Sequence, residues 1–185
     1  MRGISKEYRK KAFNENGHAA AKIMASHFKY WLRNKENLKN IAFYYPIKTE
    51  VNPFPLIEAI NKAPLKFCLP VVNGKTSPLL FKEWSEDSEL VTSSFGAKIP
   101  SNGRYLNPDL IITPLLAFDK FGSRLGYGGG FYDRTIEFIK KTYNVLVLGL
   151  AFDCQRSSTV IPVEPTDQKI DFALTELGFY NFKNS

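Results

Sequence analysis

Between the apolar run Leu110-Ile111-Ile112 and the helix-like segment Thr135-Ile136-Glu137-Phe138-Ile139-Lys140 lies the stretch that constrains this chain most. Gly122, Gly126, Gly128, Gly129 and Gly130, five of its twelve glycines, fall there. Strand, glycine loop, helix is an arrangement that binds phosphates. Glycines let the backbone approach an anion and adopt φ > 0 without steric cost. Free N–H groups and the dipole at the helix start then solvate the negative charge. Arg124 and Arg134 flank the loop with permanent positive charge, and Asp133 adds a carboxylate suited to a metal ion bridging to phosphates. The spacing is neither the P-loop pattern nor G-x-G-x-x-G, since the position three after Gly128 is Phe131. From spacing alone, an anion-binding loop and a glycine-rich structural turn both remain open.

The rest of the chain reads as one α/β domain spanning residues 1–185. Helical spacing runs from 5 to about 13 and from 17 to 33, with a break at Asn14-Glu15-Asn16-Gly17. Strands are expected at Ile41–Tyr45, Lys66–Val72, Leu79–Trp84, Asp109–Thr113, Val145–Leu150 and Asp171–Thr175, with a helix through Leu56, Ile57 and Ile60. Alternation of strand and helix argues for a largely parallel sheet with helices on both faces. Asn73-Gly74 between two apolar runs predicts a hairpin, hence a mixed edge. Residues 85–108 read as a long polar loop, in which Phe95 either covers a ligand ring or pins the loop to the core.

A net charge of +7 favours anionic partners. The basic residues are spread along the chain, and no nucleic-acid-reading pattern accompanies them, so no nucleic acid is expected. The basic face of the first helix, with Lys6, Arg9, Lys10 and Lys11, reads by itself as solvated. No apolar run is long enough to suggest a membrane span, and residues 1–6 form no signal sequence. Cys68 and Cys154 stand in unrelated contexts, which fits a reduced, cytoplasmic chain. His18 and His27 read as structural, and no Ser-His-Asp or Cys-His set is evident.

The string Ala117-Phe118-Asp119, then Gly122-Ser123-Arg124-Leu125-Gly126-Tyr127-Gly128-Gly129-Gly130-Phe131-Tyr132-Asp133, resembles the signature of the 5-formyltetrahydrofolate cyclo-ligase family. The opening basic helix looks like that family's K-x-x-x-R entry. Tyr45-Pro46-Ile47-Lys48-Thr49-Glu50-Val51 is similar to its Y-x-P-x-x-x-E-V segment, with a one-residue slip between Tyr and Pro. The resemblance implies the fold class shared with sugar-phosphate isomerases and CoA transferases. It implies an enzyme that uses ATP and Mg²⁺ to cyclise 5-formyltetrahydrofolate to 5,10-methenyltetrahydrofolate, expected to act as a monomer.

Carried over residue by residue, the resemblance implies ATP contacts from Lys6, Arg9, Arg124, Gly126, Tyr127, Gly128, Gly129, Gly130 and Phe131. The family's lysine stands four before the arginine; here that position is Ser5, and Lys6 is one residue off. Many relatives carry a cation at the positions of Tyr127 or Gly129, which this chain lacks. Glu50 is implied to bind the pterin ring, with Phe95 helping to enclose the folate. Tyr132 is implied to face that substrate, Arg124 and Tyr132 to serve catalysis, and Asp133 and Asp167 to hold Mg²⁺. Two other classes stay open beside this: a sugar-phosphate isomerase or CoA transferase, which needs no ATP, and an RNA-binding module, which predicts salt-dependent RNA binding.

Overall fold

The computed structural model describes residues 1–61, 63–93 and 96–183. Seven strands form the main sheet: β1 (Asn40–Ala42), β2 (Lys66–Val71), β3 (Leu80–Trp84), β6 (Leu110–Pro114), β9 (Leu146–Leu150), β10 (Phe172–Thr175) and β11 (Gly178–Asn181). Their order is β11-β10-β9-β6-β1-β2-β3. The inner five run parallel, and β3 and β11 pair antiparallel at the two edges. Inner strands buried on both faces need apolar side chains in both directions. Accordingly Leu110 and Ile112 join one core cluster and Ile111 the other, and Phe172 and Leu174 are separated from Ala173 in the same way.

Helices α1 (Arg2–Leu32) and α2 (Phe54–Ile60) cover one face through Met24, Phe28, Leu56, Ile57 and Ile60. Helix α3 (Phe131–Lys140) covers the other through Ile136 and Ile139. Two small antiparallel ribbons, β4 (Leu90–Thr92) with β5 (Lys98–Pro100) and β7 (Ala117–Phe118) with β8 (Arg124–Leu125), lie outside the main sheet.

Several sequence expectations change. Helix α1 is continuous through Asn14–Gly17. A mid-helix glycine costs only about 1 kcal/mol, and the helix buries Ala20, Ala21, Met24, Ala25 and Phe28 just beyond it. Strand β1 is shorter than the apolar run 41–45, because the chain leaves the sheet at Phe43 and is already turning toward Pro46. The polar stretch 85–108 contains the β4–β5 ribbon, and β11 follows β10 as a hairpin. The expected hairpin at Asn73-Gly74 is the β2–β3 connection.

From β1 the chain winds outward one way, to β2 and β3; from β6 it winds the other way, to β9, β10 and β11. The gap beyond the carboxyl ends of β1 and β6 is therefore a topological switch point, where open α/β sheets leave a crevice. The β1–α2 connection carries Glu50 to that crevice, and the β6–α3 connection carries the glycine loop.

Candidate active site

The glycine loop is positioned by a buried aspartate. Asp119 closes the β7–β8 ribbon: its Oδ1 accepts the N–H groups of Phe121 (2.9 Å) and Ser123 (3.0 Å), and its Oδ2 accepts that of Ile161 (2.9 Å). With the ribbon pinned, β8 delivers residues 126–130 to the start of α3. Gly128 (φ +96°) and Gly130 (φ +64°) lie in the left-handed region, and Gly130 is the residue preceding α3. The first-turn N–H groups of a helix have no carbonyl partner within it. Those of α3 border a cavity of about 1100 Å³ lined by the loop glycines, Tyr132, Asp133, Glu50 and Asp167. Arg134, which flanks the loop in sequence, holds it by donating to the carbonyls of Gly129 (2.9 Å) and Lys75 (3.0 Å).

One face of α1 brings cations to this loop. Arg2, Lys6 and Arg9 recur at four- and three-residue steps, so they lie on one side of the helix. Arg9 is only 2% exposed. Its Nε donates to Thr49 Oγ1 (3.2 Å), its Nη1 to the Leu115 carbonyl (3.5 Å) and its Nη2 to the Tyr127 hydroxyl. The Leu115 carbonyl also accepts from Gln155 Nε2 (2.7 Å), whose side chain is fixed by the Phe152 N–H. Arg9, Lys6 and Lys48 lie 5.3, 5.6 and 5.9 Å from the centre of the Tyr127 ring. Arg2 donates to the Gly126 carbonyl (3.1 Å). Cations drawn together at one aromatic face create a strongly positive patch. Lys10 and Lys11, by contrast, face solvent.

The same cavity wall carries a buried acid. Glu50 is 4% exposed, and its Oε2 accepts the Ile47 N–H (2.9 Å). Burial pushes its carboxyl up to about 7, against the opposing pull of that hydrogen bond and of Arg9 and Lys48. Burial, and then the Glu50 charge, also raise the phenols of Tyr44 and Tyr132. Tyr44 donates to the Val51 carbonyl (2.6 Å), which ties the Glu50 turn to the end of β1.

Arg124 and Asp133, which also line the cavity, form an ion pair of 2.7 Å. Arg124 also donates to the Gln168 carbonyl, and the Gln168 N–H donates to Asp133 Oδ1 (3.0 Å). Asp167 closes a turn, its Oδ2 accepting from the Glu164 N–H (2.8 Å). Among the described residues, the other oxygen of each aspartate has no hydrogen-bond partner, and no cluster of three potential metal-ligating side chains occurs. Two hard carboxylates beside a phosphate loop are a donor set that fits Mg²⁺, which takes one or two protein carboxylates with phosphate oxygens and water.

The structure thus gathers Arg9, Glu50, Arg124, Tyr127, Tyr132, Asp133, Asp167 and the glycines around one crevice, with Lys6 beside Tyr127. Phe95 lies outside the described residues, although Ser93, Ala97 and Ile99 near it line the cavity. Sequence reasoning missed Arg2, Lys48, Thr49 and Gln155. The spacing of Arg2 with Lys6 and Arg9 was a readable signal, and so was the closeness of Lys48 and Thr49 to Glu50. Gln155 carried none.

Comparison with known proteins agrees with this picture. The model of the 5-formyltetrahydrofolate cyclo-ligase family matches residues 1–176. A 5-formyltetrahydrofolate cyclo-ligase from Haemophilus influenzae is 36% identical over 143 residues, covering 74% of this chain and 75% of that protein. A solved 5,10-methenyltetrahydrofolate synthetase from Aquifex aeolicus superposes with a TM-score of 0.71 at 27% identity, covering 98% of this chain and 94% of the other. A second, from Mycoplasma pneumoniae, gives 0.68 at 21% identity over 93% and 98%, a likeness of fold.

Proposed function

Since the chain belongs to the 5-formyltetrahydrofolate cyclo-ligase family, we propose that it converts 5-formyltetrahydrofolate to 5,10-methenyltetrahydrofolate, with ATP yielding ADP and phosphate. The observation that carries this reading is the polarity of the crevice. A buried carboxylate, Glu50, and a glycine-lined helix N-terminus with cations gathered at the neighbouring Tyr127 ring line one cavity of about 1100 Å³. That suits a substrate pair in which one partner presents paired N–H donors and the other a polyphosphate.

A formyl oxygen bound to carbon is a poor leaving group. In this reading it attacks the terminal phosphorus of ATP, ADP departs, and an iminium phosphate forms with an electrophilic carbon. N10 attacks that carbon, its proton passes to solvent, and the C–O bond breaks to release phosphate and close the ring. No covalent enzyme nucleophile is required. The chain's work is alignment and charge neutralisation. Glu50 accepts the amino-pyrimidinone edge of the pterin in a charge-assisted pairing. Tyr132 stands beside it, facing the reacting formyl group, and Phe95 contributes to the folate enclosure. The amides of Gly126, Gly128, Gly129, Gly130 and Phe131 cradle the phosphates, helped by Lys6, Arg9 and Tyr127. Arg124 stabilises the phosphoryl group in flight. Asp133 and Asp167 would hold Mg²⁺, which supplies neutralisation of the phosphate oxygens when bound.

We expect the enzyme to act as a monomer, and its two free cysteines fit the cytoplasm. The decisive experiment mixes the protein with 5-formyltetrahydrofolate, ATP and Mg²⁺ and follows the near-ultraviolet absorbance of the methenyl product. Absorbance that grows only with all components is expected. No growth, or growth without ATP, overturns the reading.

A further inference from the structure

Lys48 is the only non-glycine residue at positive φ among the described residues, at +55°. It occupies the second position of a tight turn closed by the Glu50 N–H donating to the Ile47 carbonyl (3.2 Å) and by the Ile47 N–H donating to Glu50 Oε2 (2.9 Å). Glycine, asparagine or aspartate is the ordinary choice at such a position. A residue with a β-carbon is strained there, and strain of this kind persists where the surrounding structure holds it and the side chain is useful.

The turn points its residues two ways. Glu50 is buried in the crevice wall, 4% exposed. Thr49 Oγ1 accepts Arg9 Nε at 3.2 Å, and the Lys48 ammonium reaches to 5.9 Å from the Tyr127 ring, alongside Lys6 and Arg9. Lys48 is thus the one member of this cation group that comes from the loop bearing Glu50; the other two come from α1. Its ammonium is exposed and makes no ion pair among the described residues, so it is available to an anion.

We propose that Lys48 binds the terminal phosphate of ATP, so that one four-residue turn holds the folate through Glu50 and the reacting phosphate through Lys48. The inference rests on the function proposed above. Transfer to the formyl oxygen requires the terminal phosphate to lie against the folate, so a cation carried by the folate loop meets that phosphate rather than the inner two. It also accounts for a glycine loop without a cation at Tyr127 or Gly129: the charge arrives from the neighbouring loop.

Lys48→Gly separates this role from a structural one, because it relieves the turn while removing the ammonium. Affinities for ATP and ADP are measured by titration calorimetry, with thermal melting as the control. The expected result is a melting temperature equal to or above that of the wild type, an ATP affinity roughly tenfold lower, and an ADP affinity within twofold of the wild type. Lys48→Arg should keep most of the ATP affinity. If Lys48→Gly binds ATP as the wild type does, or loses ADP as much as ATP, the assignment is overturned. A wild-type protein that binds no ATP would overturn the proposed function instead, before Lys48 is tested.

Discussion

Two parts of the crevice wall solve opposite electrostatic problems with opposite means. Around Glu50 the protein buries a single carboxyl beside two phenols, and the site is built from side chains held by a tight turn. Around the glycine loop it draws cations to the Tyr127 ring, and the site is built from backbone amides that the glycines leave uncovered. The first depends on desolvation and is sensitive to the identity of one group. The second depends on shape and is sensitive to added atoms. Specific recognition of a heteroaromatic ring needs the former; a flexible polyphosphate is held by the latter.

The largest break in this comparison should come from Gly128→Val. At φ +96° a β-branched residue is strained, and its bulk would stand where a phosphate approaches. ATP affinity should fall at least ~100-fold, while folate affinity stays within twofold and circular dichroism is unchanged. A folded variant that binds ATP normally would mean that the glycines serve the turn alone.

Glu50→Gln should do the reverse, lowering folate affinity by about 1.5–3 kcal/mol with ATP binding preserved. It also has a pH signature. The carboxyl titrates at about 7 in the folded chain against an ordinary 4.5, so the folded state holds the proton more tightly. The stability this contributes is complete below about 4.5 and is lost as pH rises through 7. Folate affinity, which needs the charged form, should rise over that same upper range. Urea unfolding and folate titration at pH 5.5 and 8 should therefore move in opposite directions for the wild type, and both trends should flatten in the variant.

Tyr127→Phe should cost about 1 kcal/mol of ATP affinity, since it removes the hydroxyl that Arg9 engages but keeps the ring. An equal loss of folate affinity would show that the two parts are not independent. Asp167→Asn should give the smallest change, a few-fold rise in the Mg²⁺ concentration needed for half-maximal activity. Behaviour identical to the wild type across a Mg²⁺ titration would leave Asp167 as a turn residue only.

Much of this was legible in the sequence because it rests on local patterns. The apolar runs at Leu110–Ile112 and Val145–Leu150 mark parallel strands, and the glycine cluster marks the helix entry. What was hidden depends on tertiary contact. The break at Asn14–Gly17 disappears because the residues that follow it, Ala20, Ala21, Met24 and Phe28, are buried along one continuous helix. Arg9 reads as one charge on a solvated face, yet its acceptors lie on three distant segments, at Thr49, Leu115 and Tyr127. Asp133 reads as a carboxylate suited to a metal ion, and its pairing with Arg124, nine residues earlier, has no signal in the sequence. The turn at Lys48 was hidden because nothing in the letters Ile-Lys-Thr-Glu announces a positive φ.

The reach of Arg9 also sets an order of events while the chain is being made. Its partners at Leu115 and Tyr127 lie 106 and 118 residues downstream. At a synthesis rate of 5–20 residues per second, Arg9 is made roughly 6–24 s before Tyr127 exists. Throughout that interval the guanidinium that ends up sealed in the protein lacks its Tyr127 acceptor. On the proposed function, nucleotide would stabilise the chain only after β8 and the start of α3 have been synthesised and docked, as a late clamp between the earliest helix and a loop made long after it.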